Sequence, residues 1–330
     1  MPYAIHVSRK GYTVGRAGLG LRRNKQGDVA HVVHDGDTVV ARAVDNLGIR
    51  LLAVDAPERS FPLPGTELPF VDIADERWKD VLADPFAARY GAFDPPLEPD
   101  LVRELEARAG PDAAANHARL AAAALDTLTS EVSADQQALG KTDEEFLFFL
   151  AFGYEVVDRY GRLLCYLHPD QPEDAEWKDA YNERLLRSGA GVPYFIWPNI
   201  DPFFGSDTID DVVPPPGRAP ELVRKSRKLR QARAWSREAR TEGRGIYAPD
   251  DRLAIMPFEL RFISRRKPPD RWLVDLSSDS DELVAPQRYY TVTNPEDRLF
   301  VPAEFVPLFT HVGWRVGAAD AAVPGRALTL

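Results

Sequence analysis

The chain has 330 residues, which is too long for one small barrel and fits two domains or one domain with large additions. Its single cysteine, Cys165, excludes an intramolecular disulfide framework. The net charge of −10 is uneven, because residues 67–145 hold 18 Asp and Glu against 7 Lys and Arg. The rest of the chain is therefore close to neutral, and the overall acidity does not exclude a polyanionic ligand.

No apolar stretch approaches the length that a bilayer span requires, and no apolar run follows Arg9 and Lys10. We therefore expect no secretory signal, no membrane partner and a cytoplasmic location.

In the first half of the chain, residues 1–26 are polar and basic and predict an N-terminal arm. The next pattern favours β-structure, with 45–48 as a hairpin turn between the last two strands. Proline and aromatic residues are frequent over 59–98, which favours a packed insertion over a disordered segment. The predicted elements are strands at 29–33, 38–44 and 49–54, an insertion at 59–112, and a helix at 113–129.

In the second half, strands alternate with helices until Pro249, and Gly189 is a typical helix stop. The predicted elements are strands at 146–157, 162–168 and 192–197, and helices at 173–187 and 221–241. After Pro249 we predict a separate β-rich module, with strands at 258–264, 272–276 and 289–292 and a short turn or helix at 302–308.

The segment 224–244 carries nine Lys or Arg, most of them on the predicted helix 221–241. A basic helix of this kind is either a solvated amphipathic face or a contact for backbone phosphate. The sequence leaves both interpretations open.

Carboxylates are concentrated in two short segments that border predicted strands. Asp35 and Asp37 are two residues apart, so an extended chain points both to one side, although a β-turn is the ordinary alternative. Asp37 would meet Asp55 if their strands are sheet partners. Two carboxylates, a main-chain carbonyl and waters suit Ca²⁺, whereas the absence of His-x-x-x-His and Cys-x-x-Cys spacings argues against zinc.

Two arginines are candidates to act together with these carboxylates. Arg50 precedes Asp55 on the same predicted strand, and Arg162 ends the segment Asp-Arg-Tyr-Gly-Arg at 158–162. The planar guanidinium group can bind two phosphate oxygens at once. Metal and arginines together would neutralise charge on a phosphate, and Glu58 would act on a water molecule.

These segments together resemble the staphylococcal-nuclease-like (thermonuclease) family. The resemblance rests on Asp-Gly-Asp-Thr at 35–38, Arg-Leu-Leu-Ala-Val-Asp-Ala-Pro-Glu at 50–58 and the segment 158–162, in the family's order. It continues through Arg-Ser-Gly at 187–189, Pro193-Tyr194, Pro198-Asn199 and Gly-Ile-Tyr at 245–247, and covers roughly residues 28–58 and 113–248.

The resemblance implies a mainly β fold with α-helices (α+β), built on a five-stranded OB-fold barrel with packed helices and an appended β-rich module. The expected division is an N-terminal arm at 1–26, the nuclease-like domain at 27–248 with the insertion 59–112, and the module at 249–330.

The resemblance also implies a Ca²⁺-dependent nuclease that hydrolyses phosphodiester bonds of DNA or RNA at the 5′-oxygen and leaves 3′-phosphates. The implied metal ligands are Asp37, Asp55 and the main-chain carbonyl of Ala56, with Asp35 behind them. The implied catalytic residues are Arg50 and Arg162, which grip the phosphate, and Glu58, which orients or deprotonates the water. Tyr160 and Tyr194 would flank the nucleotide.

The chain departs from the family pattern at two places: Ala56 stands where threonine is frequent, and the segment after Glu58 is longer and acidic. Two alternatives therefore accompany the nuclease hypothesis. One is a catalytically silent nucleic-acid-binding or scaffold protein. The other is a nuclease gated by the acidic insertion, which a protein partner would displace.

Overall fold

The structure is a computed structural model that describes residues 3–7, 13–15, 17–22, 25–26, 41–43, 45–68, 70–172, 175–176, 178–201 and 209–317. The predicted strand 29–33, the first part of the strand 38–44, the predicted metal ligand Asp37, and Asp35, which was expected behind the metal ligands, lie outside these residues.

Short strands are distributed along the whole described chain. Those before the insertion are β1 (Ile5–Val7), β2 (Thr13–Gly15), β3 (Ala17–Leu19), β4 (Leu21–Arg22), β5 (Lys25–Gln26), β6 (Ala41–Ala43), β7 (Ile49–Leu51) and β8 (Ala53–Asp55). The strands from the start of the insertion onwards are β9 (Ser60–Phe61), β10 (Val71–Asp72), β11 (Phe148–Val157), β12 (Leu163–Pro169), β13 (Val192–Ile196), β14 (Trp272–Asp275), β15 (Glu282–Leu283), β16 (Arg298–Val301) and β17 (Arg315–Val316).

The α-helices of the described chain are α1 (Arg77–Ala83), α2 (Pro99–Glu106), α3 (Asp112–Ala138), α4 (Tyr181–Ser188), α5 (Ala219–Lys225), α6 (Arg227–Thr241), α7 (Pro257–Arg265) and α8 (Val306–His311). Short 3₁₀ helices lie at Ala88–Tyr90, Asp210–Val212, Gly245–Tyr247, Pro286–Thr291, Pro295–Asp297 and Ala303–Phe305. None of the helices that the structure describes is both long and apolar enough to cross a membrane.

Helices and several small sheets share the architecture. The two largest sheets have the strand orders β11-β12-β7 and β14-β16-β13-β8, and the other pairings are two-stranded. The described strands do not close into a barrel, so the mixed α and β character is confirmed while the five-stranded barrel stays a prediction.

A kink between β7 and β8 passes the chain from one large sheet to the other. Strand β7 pairs parallel with β12, and β8 pairs antiparallel with β13. Ala53 has a φ of 65°, a left-handed conformation that is rare without glycine. The buried Asn182 supports the kink, because its Nδ2 donates to the carbonyl of Leu52 at 2.9 Å and to that of Cys165 at 3.1 Å.

The four-stranded sheet crosses the predicted boundary at 249. Strand β13, from the nuclease-like region, pairs parallel with β16, and β16 pairs antiparallel with β14. One apolar core also joins the insertion to the residues after 249, with Phe61, Trp78 and Leu101 packed in the same cluster as Phe262 and Leu273. The insertion is therefore packed structure, and it helps to hold α7 in place.

Several predicted elements differ from the structure. The prediction of a strand at 258–264 was wrong, because this segment is the helix α7. Its alternating aromatic and aliphatic residues follow from burial on nearly all sides. Helix signals were present, since Pro257 is at the first helical position and Glu259 Oε2 accepts a hydrogen bond from the main-chain N–H of Met256 at 2.7 Å.

The turn predicted at 45–48 does not close a hairpin among the described residues, because β6 pairs with β3 and β7 pairs with β12. The helix predicted at 173–187 begins only at Tyr181, since residues 178–180 are not helical.

The remaining differences are smaller. The predicted helix 221–241 is two helices, because Ser226 is extended and its hydroxyl caps α6 by accepting from the N–H of Leu229 at 3.1 Å. Residues 289–292 belong largely to a 3₁₀ helix and not to a strand. The strand at 272–276 and the helical segment near 302–308 are confirmed.

Two glycines of the family-like segments contact each other across the chain. Gly189 has a φ of 71° and Gly245 a φ of 54°, and the carbonyl of Gly189 accepts a hydrogen bond from the N–H of Ile246 at 2.9 Å. A Cβ atom on Gly245 would lie 2.2 Å from that carbonyl oxygen. The segments 187–189 and 245–247 therefore meet through backbone contact that only glycine permits.

Candidate functional site

Arg50 and Asp55 lie together although they are five residues apart on neighbouring strands. Arg50 Nη2 donates to Asp55 Oδ1 at 2.7 Å. In a straight strand the two side chains would be on opposite faces and about 16 Å apart. The kink at Ala53 thus brings a guanidinium group onto a carboxylate that is fully buried.

Glu58 joins this pair from the segment that follows β8. Arg50 Nη1 lies 3.5 Å from Glu58 Oε1, and about a third of the Glu58 side chain is exposed. Arg50 therefore contacts two other predicted site residues, Asp55 and Glu58.

Arg261 on α7 is a fourth member that sequence reasoning missed. Its Nη2 donates to Asp55 Oδ2 at 2.7 Å, and its Nη1 donates to Asp55 Oδ1 at 2.9 Å and to Glu58 Oε1 at 2.8 Å. We call Arg50, Asp55, Glu58 and Arg261 the candidate site. Two guanidinium groups and two carboxylates neutralise one another there.

In the candidate site, burial disfavours the charged side chains and their oppositely charged neighbours favour them. Burial alone raises the pKa of Asp55, but the guanidinium groups of Arg261 and Arg50 outweigh it and hold the pKa below its ordinary value. For Arg261, burial opposes the charged form, whereas Asp55 and Glu58 favour it, and the net effect raises the pKa. Asp55 and Arg261 are therefore both charged at neutral pH.

His117 on α3 is buried directly behind the candidate site. Burial lowers the pKa of His117 to about 4. The main-chain group of Ile255 and the carboxylate of Asp55 favour the charged ring, but burial outweighs them. The His117 ring is edge-on to Phe61 with centroids 5.6 Å apart, and the main-chain groups of Ile255 and Glu58 lie beside it. His117 is consequently neutral near pH 7.

Arg162 and Tyr160 lie in the turn between β11 and β12. Arg162 Nε donates to Asp158 Oδ2 at 2.8 Å, and its guanidinium group stacks over the Tyr160 ring at 5.4 Å. Leu164 is in register with Arg50, so Arg162, two residues before it, is on the same sheet face as Arg50. In the described structure Arg162 pairs with Asp158 and not with Asp55 or Glu58.

Tyr194 on β13 packs against residues of the C-terminal region. Its ring stacks on Phe258 with centroids 5.6 Å apart, and its hydroxyl accepts a hydrogen bond from Arg271 Nη1 at 2.7 Å. The Arg261 guanidinium group lies 5.9 Å from the ring centroid. Tyr194 is half-buried and borders the candidate site, but its hydroxyl is already bonded.

The described residues by themselves do not fit a Ca²⁺ site. Within the described chain, no group of three or more acidic, His or Cys side chains is placed to hold a metal ion. Asp55 and Glu58 contribute carboxylates, but both Asp55 oxygens and Glu58 Oε1 already face guanidinium nitrogens. Ala56 follows Asp55 directly, whereas Asp35 and Asp37, which would complete the set, lie outside the described residues.

The basic segment 224–244 uses much of its charge inside the protein. Lys228 pairs with Glu183 at 2.9 Å, and Arg240 pairs with the buried Glu296 at 2.6 Å. Arg233 is buried and pairs with Asp297. These contacts join α6 to α4 and to the C-terminal region, so they leave less of the helix to contact phosphate.

The sequence carries weak signals for the two missed residues. Arg261 follows the Pro-Phe-Glu helix start at 257–259, but its partner is 206 residues away and only the fold reveals it. His117 lies on the buried face of a recognisable helix, where an ordinary core position is the simplest expectation. No protein family, curated protein or solved structure shows a significant match to this chain.

Proposed function

We propose that this chain is a nuclease that hydrolyses phosphodiester bonds of DNA or RNA at the candidate site. The observation that supports the proposal is the contact among Arg50, Asp55 and Glu58, which the kink at Ala53 creates. These three residues come from the single segment 50–58 that resembles one nuclease family in sequence. We further propose that β7, β12 and β11 belong to an OB-type barrel.

Glu58, Arg50 and Arg162 would each have a separate role in the hydrolysis. Glu58, partly exposed, would accept a proton from the attacking water. Arg50 would donate to phosphate oxygens and stabilise the extra charge of the transition state. Arg162, on the same sheet face and 41% exposed, would reach the phosphate from the other side.

Ca²⁺ remains part of the proposal as a requirement to be tested. It would supply charge neutralisation at the phosphate, and Asp55 with the residues near 35–37 would hold it. Because Arg261 now neutralises Asp55 and Glu58, a cation at this position requires Arg261 to move away.

A second candidate function is a catalytically silent nucleic-acid-binding or scaffold protein. Arg261 favours it, since its guanidinium group occupies the place of a cation between Asp55 and Glu58. The gated-nuclease alternative takes a related form, because the insertion and the C-terminal region share the core that positions α7.

The test is to incubate the purified protein with single-stranded DNA, double-stranded DNA and RNA, each with Ca²⁺, Mg²⁺ or EDTA. Degradation that Glu58→Gln abolishes supports the nuclease. Binding of nucleic acid without degradation, in both the wild type and Arg261→Ala, supports the silent protein. Degradation by Arg261→Ala and not by the wild type supports gating by α7.

A further inference from the structure

A cavity of about 500 Å³ lies on the side of α7 that faces away from the candidate site. Glu259 lines this cavity, whereas Arg261 contacts Asp55, and residues two apart on a helix point about 200° apart. Helix α7 therefore separates the cavity from the candidate site. The volume is in the range of small-molecule sites.

The lining of the cavity is rich in arginine. Four arginines, Arg108, Arg240, Arg252 and Arg298, face two glutamates, Glu104 and Glu259. Two of the arginines are already neutralised, because Arg108 Nη2 lies 2.7 Å from Glu259 Oε1 and Arg240 pairs with Glu296. Arg252 and Arg298 then exceed the one remaining carboxylate, that of the exposed Glu104, by a single positive charge.

Arg298 is the more unusual of these two cations. It is 4% exposed, yet no carboxylate of the described chain forms an ion pair with it. Its Nε donates to the carbonyl of Val292 at 2.7 Å, its Nη2 lies 3.5 Å from that of Thr293, and its Nη1 lies 3.6 Å from Met256 Sδ. The carboxylate of Glu259 favours the charged form of Arg298, but it is already bonded to Arg108, and burial still lowers the pKa of Arg298. An anion in the cavity would offset this cost of burial.

The Tyr247 hydroxyl supplies an independent sign of a ligand. It is buried at the cavity and makes no hydrogen bond in the described structure. Burial raises the pKa of Tyr247, so the group stays a neutral O–H donor at neutral pH. Buried polar groups usually have a partner, and here a ligand oxygen would provide it.

The remaining lining is apolar or aromatic and includes Ile246, Leu253, Tyr289 and Tyr290. The guanidinium groups of Arg298 and Arg252 and the Tyr247 hydroxyl are hydrogen-bond donors that suit the several oxygens of a phosphate. We infer that this cavity binds a phosphate monoester with an apolar or aromatic organic part, held by Arg298, Arg252 and the Tyr247 hydroxyl. This inference is independent of the nuclease proposal.

The experiment is calorimetric titration of the full chain with phenyl phosphate in EDTA and without nucleic acid, with phenol as the uncharged comparison. We expect phenyl phosphate to bind and phenol to bind at least tenfold more weakly. Tyr247→Phe and Arg252→Ala should each weaken binding by about tenfold or more, the usual effect of one hydrogen bond to a charged group.

Two control variants test whether the loss of binding is specific to the cavity. Arg265→Ala removes an exposed arginine of α7 outside the cavity and should bind as the wild type does. Arg50→Ala should also bind normally, because Arg50 belongs to the candidate site. Thermal unfolding without ligand checks folding, and Tyr247→Phe should not be less stable, since it removes only an unbonded hydroxyl.

The inference is overturned if the wild type does not bind phenyl phosphate, or binds phenol equally well. It is also overturned if Tyr247→Phe and Arg252→Ala bind as tightly as the wild type, or if Arg50→Ala alone abolishes binding.

Discussion

Arg261 Nη2 lies 2.7 Å from Asp55 Oδ2, although the two residues are 206 positions apart in the chain. The carboxylate is fully buried and the guanidinium side chain is 17% exposed. The predicted nuclease-like region therefore shares a fully buried charge with a helix that follows it. This contact shapes the predictions below.

Asp55→Asn should destabilise the protein by about 3 kcal/mol, because it leaves Arg50 and Arg261 without their shared counter-charge. Urea unfolding at pH 7 measures this change. Because the pKa of Asp55 is lowered in the folded state, its contribution is present above its ordinary pKa and is lost as pH falls through the lower folded value. A variant as stable as the wild type at pH 7 would contradict the ion-pair account.

Arg261→Ala should make the protein bind Ca²⁺ more tightly, because Asp55 and Glu58 lose the guanidinium group that neutralises them. Calorimetric titration with CaCl₂ measures the gain. The double variant Arg261→Ala, Asp55→Asn is the matched control and should lose it. Equal Ca²⁺ affinity in Arg261→Ala and the wild type would show that the carboxylates are not a cation site.

Arg50→Ala, Arg162→Ala and Glu58→Ala should each fold and lose activity by roughly 10²–10³ if the proposed nuclease is correct, since each removes a transition-state contact. Initial rates of DNA or RNA hydrolysis measure the loss, and circular dichroism checks the fold. Arg103→Ala, an exposed arginine on α2, is the charge control. Full activity in Arg162→Ala would remove that residue from the proposed mechanism.

The stability of the protein should fall as the pH drops from about 6.5, the ordinary histidine pKa, towards the value of about 4 that burial imposes on His117. Over this interval the unfolded chain takes up a proton that the folded chain does not, which costs about 3 kcal/mol in total. Unfolding by urea at several pH values measures the slope.

His117→Phe should reduce that slope and leave the part due to His168, whose pKa burial also lowers, whereas His311→Phe, at an exposed position, should keep the full slope. An unchanged slope in His117→Phe would mean that other groups cause the acid sensitivity.

The sequence alone determined the local features that depend on short spacing. Strand residues 49–54 and 192–197, the turn at 158–161 and the helix stop at Gly189 were all recognisable from periodicity and from Gly and Asp chemistry. The same spacing singled out Arg50, Asp55 and Glu58, because the segment that carries them is only nine residues long.

Only the tertiary structure decided what surrounds those residues. Helix α7 was mistaken for a strand because a helix buried on nearly every side shows no polar face. The role of Arg261 depends on long-range packing of the insertion and the C-terminal region into one core, and no local pattern encodes such a contact. The left-handed Ala53 is likewise unreadable from its residue type, since the kink there is imposed by pairing of β7 and β8 with two different sheets.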